Sequence, residues 1–174
     1  MKKLNILLLA VLILIACETK KDRYTQTAPE IETYKKALKD YEMANWEELA
    51  SHYADTAKVM MNVTKKNAKT VAQMIEANKQ DQTLFISYGF VPEESEYEMV
   101  VTDKGETWVN YWGLWQGRLK LNNELYEIPV HLTARFSNGK IVKEHGYWDN
   151  SAITMVLMKQ ADTTAVATPS VANE

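Results

Sequence analysis

The chain is poor in cysteine and in basic residues, and both shortages limit its chemistry. Its single cysteine among 174 residues, Cys17, leaves no disulfide pair and no cysteine cluster for a metal. Lysine and arginine total 20 against 23 acidic residues, and the formal net charge is −3. Proteins that bind nucleic acids depend on basic patches, so this balance argues against a nucleic-acid partner.

Motifs for metal and phosphate chemistry are also missing. The sequence contains no HExxH helix motif and no clustered carboxylates, and its three histidines lack a ligand spacing. Its six glycines form neither a phosphate-binding loop nor a nucleophile elbow. We therefore expect no metal site and no cofactor.

Long apolar runs are absent except at the start of the chain. Residues 4–16 are apolar apart from Asn5, and Lys2 and Lys3 precede them. This order is typical of an export signal, whereas a membrane-spanning helix needs about 20 apolar residues. We predict that residues 1–16 are a signal segment absent from the mature protein.

The end of this segment resembles a bacterial lipobox. Leu14, Ile15 and Ala16 precede Cys17, and in lipoproteins such a cysteine takes a diacylglycerol before cleavage and acylation of the new amine. The resemblance implies anchoring of Cys17 to the cell envelope through fatty acyl chains such as palmitate, at the outer membrane on its periplasmic or surface-exposed side. Two or more chains anchor stably, since each buried methylene contributes about 0.8 kcal/mol. The alternatives are a soluble secreted protein and an uncleaved anchor helix.

Polar segments flank the body of the chain. Residues 17–29 form a polar tether, whose lysines and acids partly resemble the surface-delivery signal of Bacteroidetes lipoproteins; a plain solvated tether is the alternative. Residues 159–174 are rich in Ala, Thr, Ser and Val and hold no large apolar side chain, so we expect a disordered tail. One domain is expected over residues 30–158.

The body of the chain changes from helical to strand-like spacing, which predicts an α+β domain. Helices are predicted over Glu30–Met43, after an N-cap at Asn45, and after a capping box at Thr70. The expected fold is three N-terminal helices packed on a strongly curved, mostly antiparallel sheet. The predicted strands are residues 58–63, 84–90, 96–102, 107–117, 124–136 and 141–148.

Three helices followed by long antiparallel strands resemble the nuclear transport factor two-like superfamily, and within it the SnoaL-like branch. The resemblance implies that the sheet forms a cystatin-like cone. This fold hosts isomerases, cyclases and dehydratases, and also proteins that only bind, so the resemblance implies a cavity without fixing its chemistry. The motifs that carry it are His52-Tyr53-Ala54-Asp55, Trp108-Val109, residues 136–141 and Tyr147-Trp148-Asp149.

Asn138-Gly139 marks a hairpin turn that predicts which side chains share a face. In a two-residue loop Ser137 pairs with Lys140, and side chains alternate outward along both strands. His131 is then expected on the face opposite His145. The pairs expected on the cavity face are Leu132 with His145, Val130 with Tyr147 and Ile128 with Asp149.

Asp149 is the first candidate for acid–base chemistry. In SnoaL-like cyclases an aspartate near the end of the last strand is a general acid and base, and the resemblance implies that role for Asp149. Aromatic walls would raise its pKa towards a useful range, and Tyr147 or His145 could steady an oxyanion. Asp149-Asn150-Ser151 also fits a turn in which the carboxylate accepts backbone amides. Asp55, at the predicted end of the second helix, is a weaker candidate, because a residue between a helix and a strand usually caps the helix or forms a turn.

Aromatic side chains favour a pocket, although core packing also explains many of them. Four of the five tryptophans lie in the strand half. Trp108 and Trp112 share one face of their strand, and Tyr111 and Trp115 share the other. One row is expected to line a cavity and the other to meet solvent or a dimer partner. The expected pocket residues are Tyr53, Trp108, Trp112, Val130, Leu132 and Tyr147.

Three functions remain open at this point. The first is binding of a small, largely apolar ligand by a membrane-anchored protein, without turnover. The second is an isomerase, cyclase or dehydratase that uses Asp149 as general acid and base. The third is an interaction module that forms a homodimer or pairs with another envelope protein.

Overall fold

The computed structural model describes residues 23–166, with side chains described up to residue 161. The predicted signal segment, Cys17, the first part of the tether and residues 167–174 of the tail lie outside the described residues. In the part of the chain that is described, no helix combines the length and the apolar character that spanning a bilayer requires.

Residues 23–166 form four α-helices and seven β-strands. The helices are α1 Pro29–Glu42, α2 Trp46–Ser51, α3 Val71–Gln82 and α4 Ser151–Val166. The strands are β1 Tyr24–Thr25, β2 Tyr53–Met61, β3 Phe85–Phe90, β4 Glu96–Val101, β5 Thr107–Leu119, β6 Leu125–Ser137 and β7 Lys140–Trp148. The α+β class is confirmed, and α1 to α3 precede the run of strands that begins with β3.

The seven strands form one curved sheet in the order β1-β4-β5-β6-β7-β2, and β3 also pairs with β5. The first half of β5 pairs with β4, and its second half pairs with β3 on the same edge. Its other edge pairs with β6 along twelve residues. Only the pairing of β2 with β7 is parallel among these strands.

Helix α1 closes the concave face of the sheet. Pro29 at its first turn favours helix initiation because proline has no amide hydrogen to leave unpaired. Ile31, Tyr34 and Ala37 recur at a spacing of three and are almost completely buried. The Tyr34 ring meets the Phe136 ring of β6 edge to face, with 6.5 Å between centroids. The main core therefore lies between α1 and the sheet.

Both ends of the domain extend beyond the predicted bounds of 30 and 158. In the predicted tether, Tyr24 and Thr25 pair with Val100 and Met99 as strand β1; two residues are too few to show a period. At the other end, α4 was not predicted and continues to Val166, into the segment predicted as tail. Ile153 is buried in a second core cluster, and a helix anchored there propagates at little further cost.

The two predicted helix caps have different outcomes. Thr70 forms the predicted capping box: its hydroxyl accepts from the Gln73 amide at 3.2 Å, and its own amide donates to the Gln73 side chain at 2.9 Å. Asn45 makes no side-chain cap. Its amide group instead donates to Asp40 at 3.2 Å, since its backbone is not in the extended conformation that an N-cap needs.

The predicted hairpin is present, but its register changes after two pairs. Asn138 and Gly139 have φ angles of 51° and 73°, as a tight turn between twisted strands requires. Ser137 pairs with Lys140 and Phe136 with Ile141, as predicted. Arg135 then pairs with Lys143, so Val142 is an extra residue in β7 and forms a β-bulge.

This bulge inverts the rest of β7 relative to the prediction. Leu132 lies opposite Gly146 instead of His145, and Val130 lies opposite Trp148 instead of Tyr147. Side chains alternate with a period of two, so one extra residue moves every later side chain to the other face. The predicted register is therefore wrong beyond Phe136.

The capping box at Thr70 gives a test of local stability. Replacement Thr70→Ala removes the acceptor for the Gln73 amide and should lower the free energy of unfolding by about 1 kcal/mol in urea titrations. Thr64→Ala is the matched control, because Thr64 precedes a one-turn 3₁₀ helix without a side-chain cap. Equal losses in the two variants would contradict a capping role for Thr70.

Candidate functional site

A cavity of about 260 Å³ lies between the helices and the concave face of the sheet. Its volume is close to the lower end of the range for small-molecule pockets. Tyr53, Val130 and Leu132, three of the predicted pocket residues, line it. Met61, Met74 and several leucines supply further apolar wall. The cavity is therefore suited to a small molecule with apolar groups.

Aromatic side chains supply much of the wall. The Trp115 indole N–H donates to the Tyr41 hydroxyl at 3.3 Å, and the Phe85 and Trp115 rings meet edge to face at 5.2 Å. Burial raises the pKa of Tyr41, so its phenol keeps its proton. The aromatic residues of the lining are Tyr41, Tyr53, Phe85, Tyr88, Phe90, Trp115 and Trp148.

Glu144 is the one charged residue in the buried part of this lining, with 2% of its surface exposed. Its Oε1 atom accepts a hydrogen bond from the Tyr34 hydroxyl at 2.5 Å, and its Oε2 atom accepts one from the Tyr53 hydroxyl at 2.7 Å. The three residues come from β7, α1 and β2. Each carboxylate oxygen thus has one phenol donor.

Burial controls the ionisation of this group. Removal from water raises the pKa of Glu144, and the hydrogen bonds from Tyr34 and Tyr53 offset this only in part. Burial, together with the Glu144 carboxylate nearby, raises the pKa of both tyrosines. Among the ion pairs of residues 23–166, none involves Glu144. The carboxyl group therefore lacks a fixed positive partner in the described structure.

A second carboxylate, Asp81, lies where the cavity reaches the surface. Asp81 is exposed, although it also lines the cavity. Desolvation raises its pKa, and Lys69 opposes this shift. Asn150 and Thr154 at the start of α4 are likewise exposed and line the cavity. The polar rim between α3 and α4 is therefore the side on which solvent meets the cavity.

Asp149 does not line the cavity. Its Oδ1 atom accepts a hydrogen bond from the backbone amide of Ser151 at 2.8 Å, where α4 begins. That bond lowers the pKa of Asp149. The expectation that Asp149 shares the cavity face was wrong, because the bulge at Val142 exchanges the two faces of the rest of β7. Asp149 instead accepts a backbone amide, as in the alternative in which Asp149-Asn150-Ser151 forms a turn.

His145 and Tyr147 lie on the outer face of the sheet with Trp108, Trp112 and His131. The rings are stacked in a row: Trp112 on His131 at 4.9 Å, His131 beside Tyr147 at 6.4 Å, and Tyr147 beside His145 at 6.2 Å. Trp108 follows His145 at 6.3 Å. The prediction that Trp108, Trp112 and Tyr147 line the pocket was wrong, as was the prediction that the two histidines lie on opposite faces.

The His52-Tyr53-Ala54-Asp55 stretch contributes one side chain to the site. Tyr53 points to Glu144, as described above, whereas Asp55 is exposed in β2. His52 Nε2 lies 2.8 Å from Asp40 Oδ2 and ties α2 to α1. Within residues 23–166, no group of three His, Cys, Asp or Glu side chains is arranged to hold a metal ion.

Sequence reasoning missed Glu144, although its neighbour His145 was a candidate. In the regular register Glu144 belongs to the outer face, where a glutamate is ordinary. Its position between apolar Ile141 and the glycine and tryptophan that follow is compatible with either face. The extra residue of the bulge is Val142, an ordinary strand residue that does not mark a bulge in the sequence. Alternation alone therefore could not identify the buried carboxylate.

Solved structures with this fold include proteins of several kinds. A ketosteroid isomerase-like protein from Catenulispora acidiphila, solved in complex with trimethylamine, aligns with a TM-score of 0.56 and 11% identity over 69% of this chain and 87% of that one. IdmH, a candidate polyketide cyclase from Streptomyces antibioticus, aligns with a TM-score of 0.60 and 13% identity over 74% of this chain and 97% of IdmH. An NTF2-like protein from Burkholderia pseudomallei aligns with a TM-score of 0.57 and 11% identity over 73% of this chain and 95% of that protein.

These likenesses establish the fold and leave the activity open. The chain has the NTF2-like fold that its motifs indicated, at identities too low to transfer a reaction. No family model matches the chain, and no curated protein matches it by sequence. Function must therefore be argued from the cavity itself.

The ionisation of Glu144 can be tested through stability. The raised pKa means that the folded protein keeps this proton above about pH 4.3, where the unfolded chain loses it. The group therefore stabilises the fold most at low pH, and this contribution is lost as the pH rises through the folded pKa. The free energy of unfolding of the wild type minus that of Glu144→Gln should fall as the pH rises from about 4.3 through the folded pKa of Glu144.

Glu47→Gln is the control for this experiment. Glu47 is exposed on α2, so its substitution should give a nearly constant difference over the same pH range. A wild-type advantage over Glu144→Gln that stays constant or grows with pH would show that the Glu144 pKa is not raised.

Proposed function

We propose that this protein is a lipid-anchored envelope protein whose cone-shaped domain binds a small organic molecule in the cavity, without turning it over. The observation that carries the binding role is the cavity itself, with an apolar and aromatic wall and a few polar groups at defined points. Ligand pockets of proteins combine these two features. The anchor is inferred from the lipobox-like sequence that ends at Cys17.

One structural neighbour supports a small ligand. The structure of the protein from Catenulispora acidiphila was solved with trimethylamine, a molecule of four non-hydrogen atoms. The present cavity of about 260 Å³ has room for a molecule of that size or somewhat larger. We take this as support for the size of the ligand and for nothing more specific.

A second function, proton transfer on a bound substrate, is favoured by Glu144 and replaces the proposal for Asp149. A carboxyl group with a raised pKa inside an apolar cavity is a common general acid or base. Two tyrosine hydroxyls beside it could hold a developing oxyanion. In the described structure, however, both hydroxyls are engaged by Glu144, so we rank binding without turnover first.

Retention of a ligand tests the binding role. Native mass spectrometry of the full chain purified from its own host should show an added mass of a small molecule. Leu38→Trp should remove that mass, because Leu38 lines the cavity and a larger ring would fill it. Ile86→Trp is the matched control, since Ile86 is 58% exposed and outside the lining. Equal retention by both variants would place the molecule elsewhere.

Acylation tests the anchor. Cells that produce the full chain with labelled palmitate should transfer label to the wild type and not to Cys17→Ser, because the thiol of Cys17 takes the diacylglycerol that precedes cleavage and acylation of the new amine. The wild type should then partition into the detergent phase, and Cys17→Ser into the aqueous phase. Equal partitioning of the two without label would contradict lipidation.

A further inference from the structure

The charges that line the cavity have one sign. Glu144 and Asp81 are its ionisable acids, and no lysine, arginine or histidine belongs to the described lining. The remaining polar members are hydroxyl and amide side chains, which carry no net charge. The two ionisable acids of the lining therefore add only negative potential to the cavity, and Lys69 near Asp81 opposes the contribution of Asp81 at the rim.

The hydrogen bonds around Glu144 fit its ionised form. Tyr34 and Tyr53 each bring one hydroxyl proton, and the carboxylate offers one oxygen to each. A protonated Glu144 would add a third proton, and the described structure offers that proton no acceptor other than the two phenol oxygens. The two phenols therefore complete the geometry of a carboxylate but supply no positive charge.

A buried carboxylate without a countercharge is costly. The pKa of Glu144 is raised for this reason, and the fold provides no cation within the described lining to remove the cost. Two things can neutralise the group: a proton from solvent, or a positive charge on the ligand. The second leaves Glu144 ionised, with both tyrosine hydroxyls donating to it as they do in the structure.

The wall of the cavity would also receive a cation well. Seven aromatic side chains line it, and the faces of such rings attract ammonium groups, most strongly away from water. Apolar wall between them would cover alkyl substituents on the same molecule. A bare inorganic cation would lose its hydration shell here without enough oxygen ligands to replace it.

We propose that the cavity selects a small organic cation, an amine or quaternary ammonium compound with apolar substituents, whose charge lies against Glu144. This inference rests on the proposed binding function and specifies its ligand class. Asp81 at the rim acts as a second, weaker attraction at the side where the ligand enters. Neutral molecules of the same shape bind less well, and anions are excluded.

Three probes of nearly one shape test the role of charge. Choline, the neutral 3,3-dimethylbutan-1-ol and the anionic 3,3-dimethylbutanoate share a branched head of the same size. At neutral pH, calorimetry should show choline binding at least about tenfold tighter than the alcohol. Binding of the carboxylate should not be measurable at about 10 mM.

Variants assign the preference to the cavity. Glu144→Gln should bring the affinities for choline and the alcohol within about twofold of each other, whereas Glu47→Gln on the exposed face of α2 should keep the wild-type ratio. Asp81→Asn should reduce the ratio in part, and it provides the test if Glu144→Gln fails to fold. Leu38→Trp should weaken both probes equally.

The outcomes separate this inference from the proposed function. If the alcohol binds as tightly as choline, a cavity that binds small molecules remains and the preference for cations is overturned. If Glu144→Gln, or Asp81→Asn where that variant replaces it, keeps the full preference for choline, the assignment of the charge to the cavity is overturned. If no probe binds, the inference that the cavity selects cations is overturned. The proposed function is then decided by whether native mass spectrometry detects a retained small molecule.

Discussion

The β-bulge at Val142 determines the chemistry of the cavity. Because strand side chains alternate with a period of two, a single extra residue exchanges the two faces of everything that follows it. In this chain the exchange brings Glu144 and Trp148 to the concave face and carries His145 and Tyr147 to the outer one. A carboxylate replaces an imidazole inside, and a row of stacked rings forms outside.

Glu144 connects the packing of the domain to its cavity. Its two phenol partners come from α1 and β2, so the contacts that satisfy the carboxylate also hold the helix and the edge strand against β7. A buried acid that gave only stability would be poorly suited, because an apolar side chain of similar volume is often at least as stabilising. The free-energy cost of burying Glu144 is understandable if its carboxyl group also contacts a ligand. Stability and binding then depend on the same proton equilibrium.

The sequence was informative where a structure depends on neighbours in the chain. The capping box at Thr70, the hairpin turn at Asn138-Gly139 and the strand periods need only local residues, and they were predicted correctly. The bulge at Val142 depends on how β6 and β2 both pair with β7, which no window of sequence contains. Helix α4 depends on a cluster that is distant in sequence and receives Ile153. The errors about β7 and Asp149 follow from the missed bulge, whereas Trp108 and Trp112 were assigned to the wrong face of β5.

The same inversion explains why the cavity has no positive charge of its own. In the regular register His145 would lie inside and could neutralise a carboxylate by taking a proton. In the structure both His131 and His145 stack on the outer face, and burial together with Lys143 lowers the pKa of His145. Glu144 is left with hydroxyl donors alone. Neutralisation must therefore come from solvent protons or from the occupant, so the charge of the occupant affects how tightly the cavity holds it.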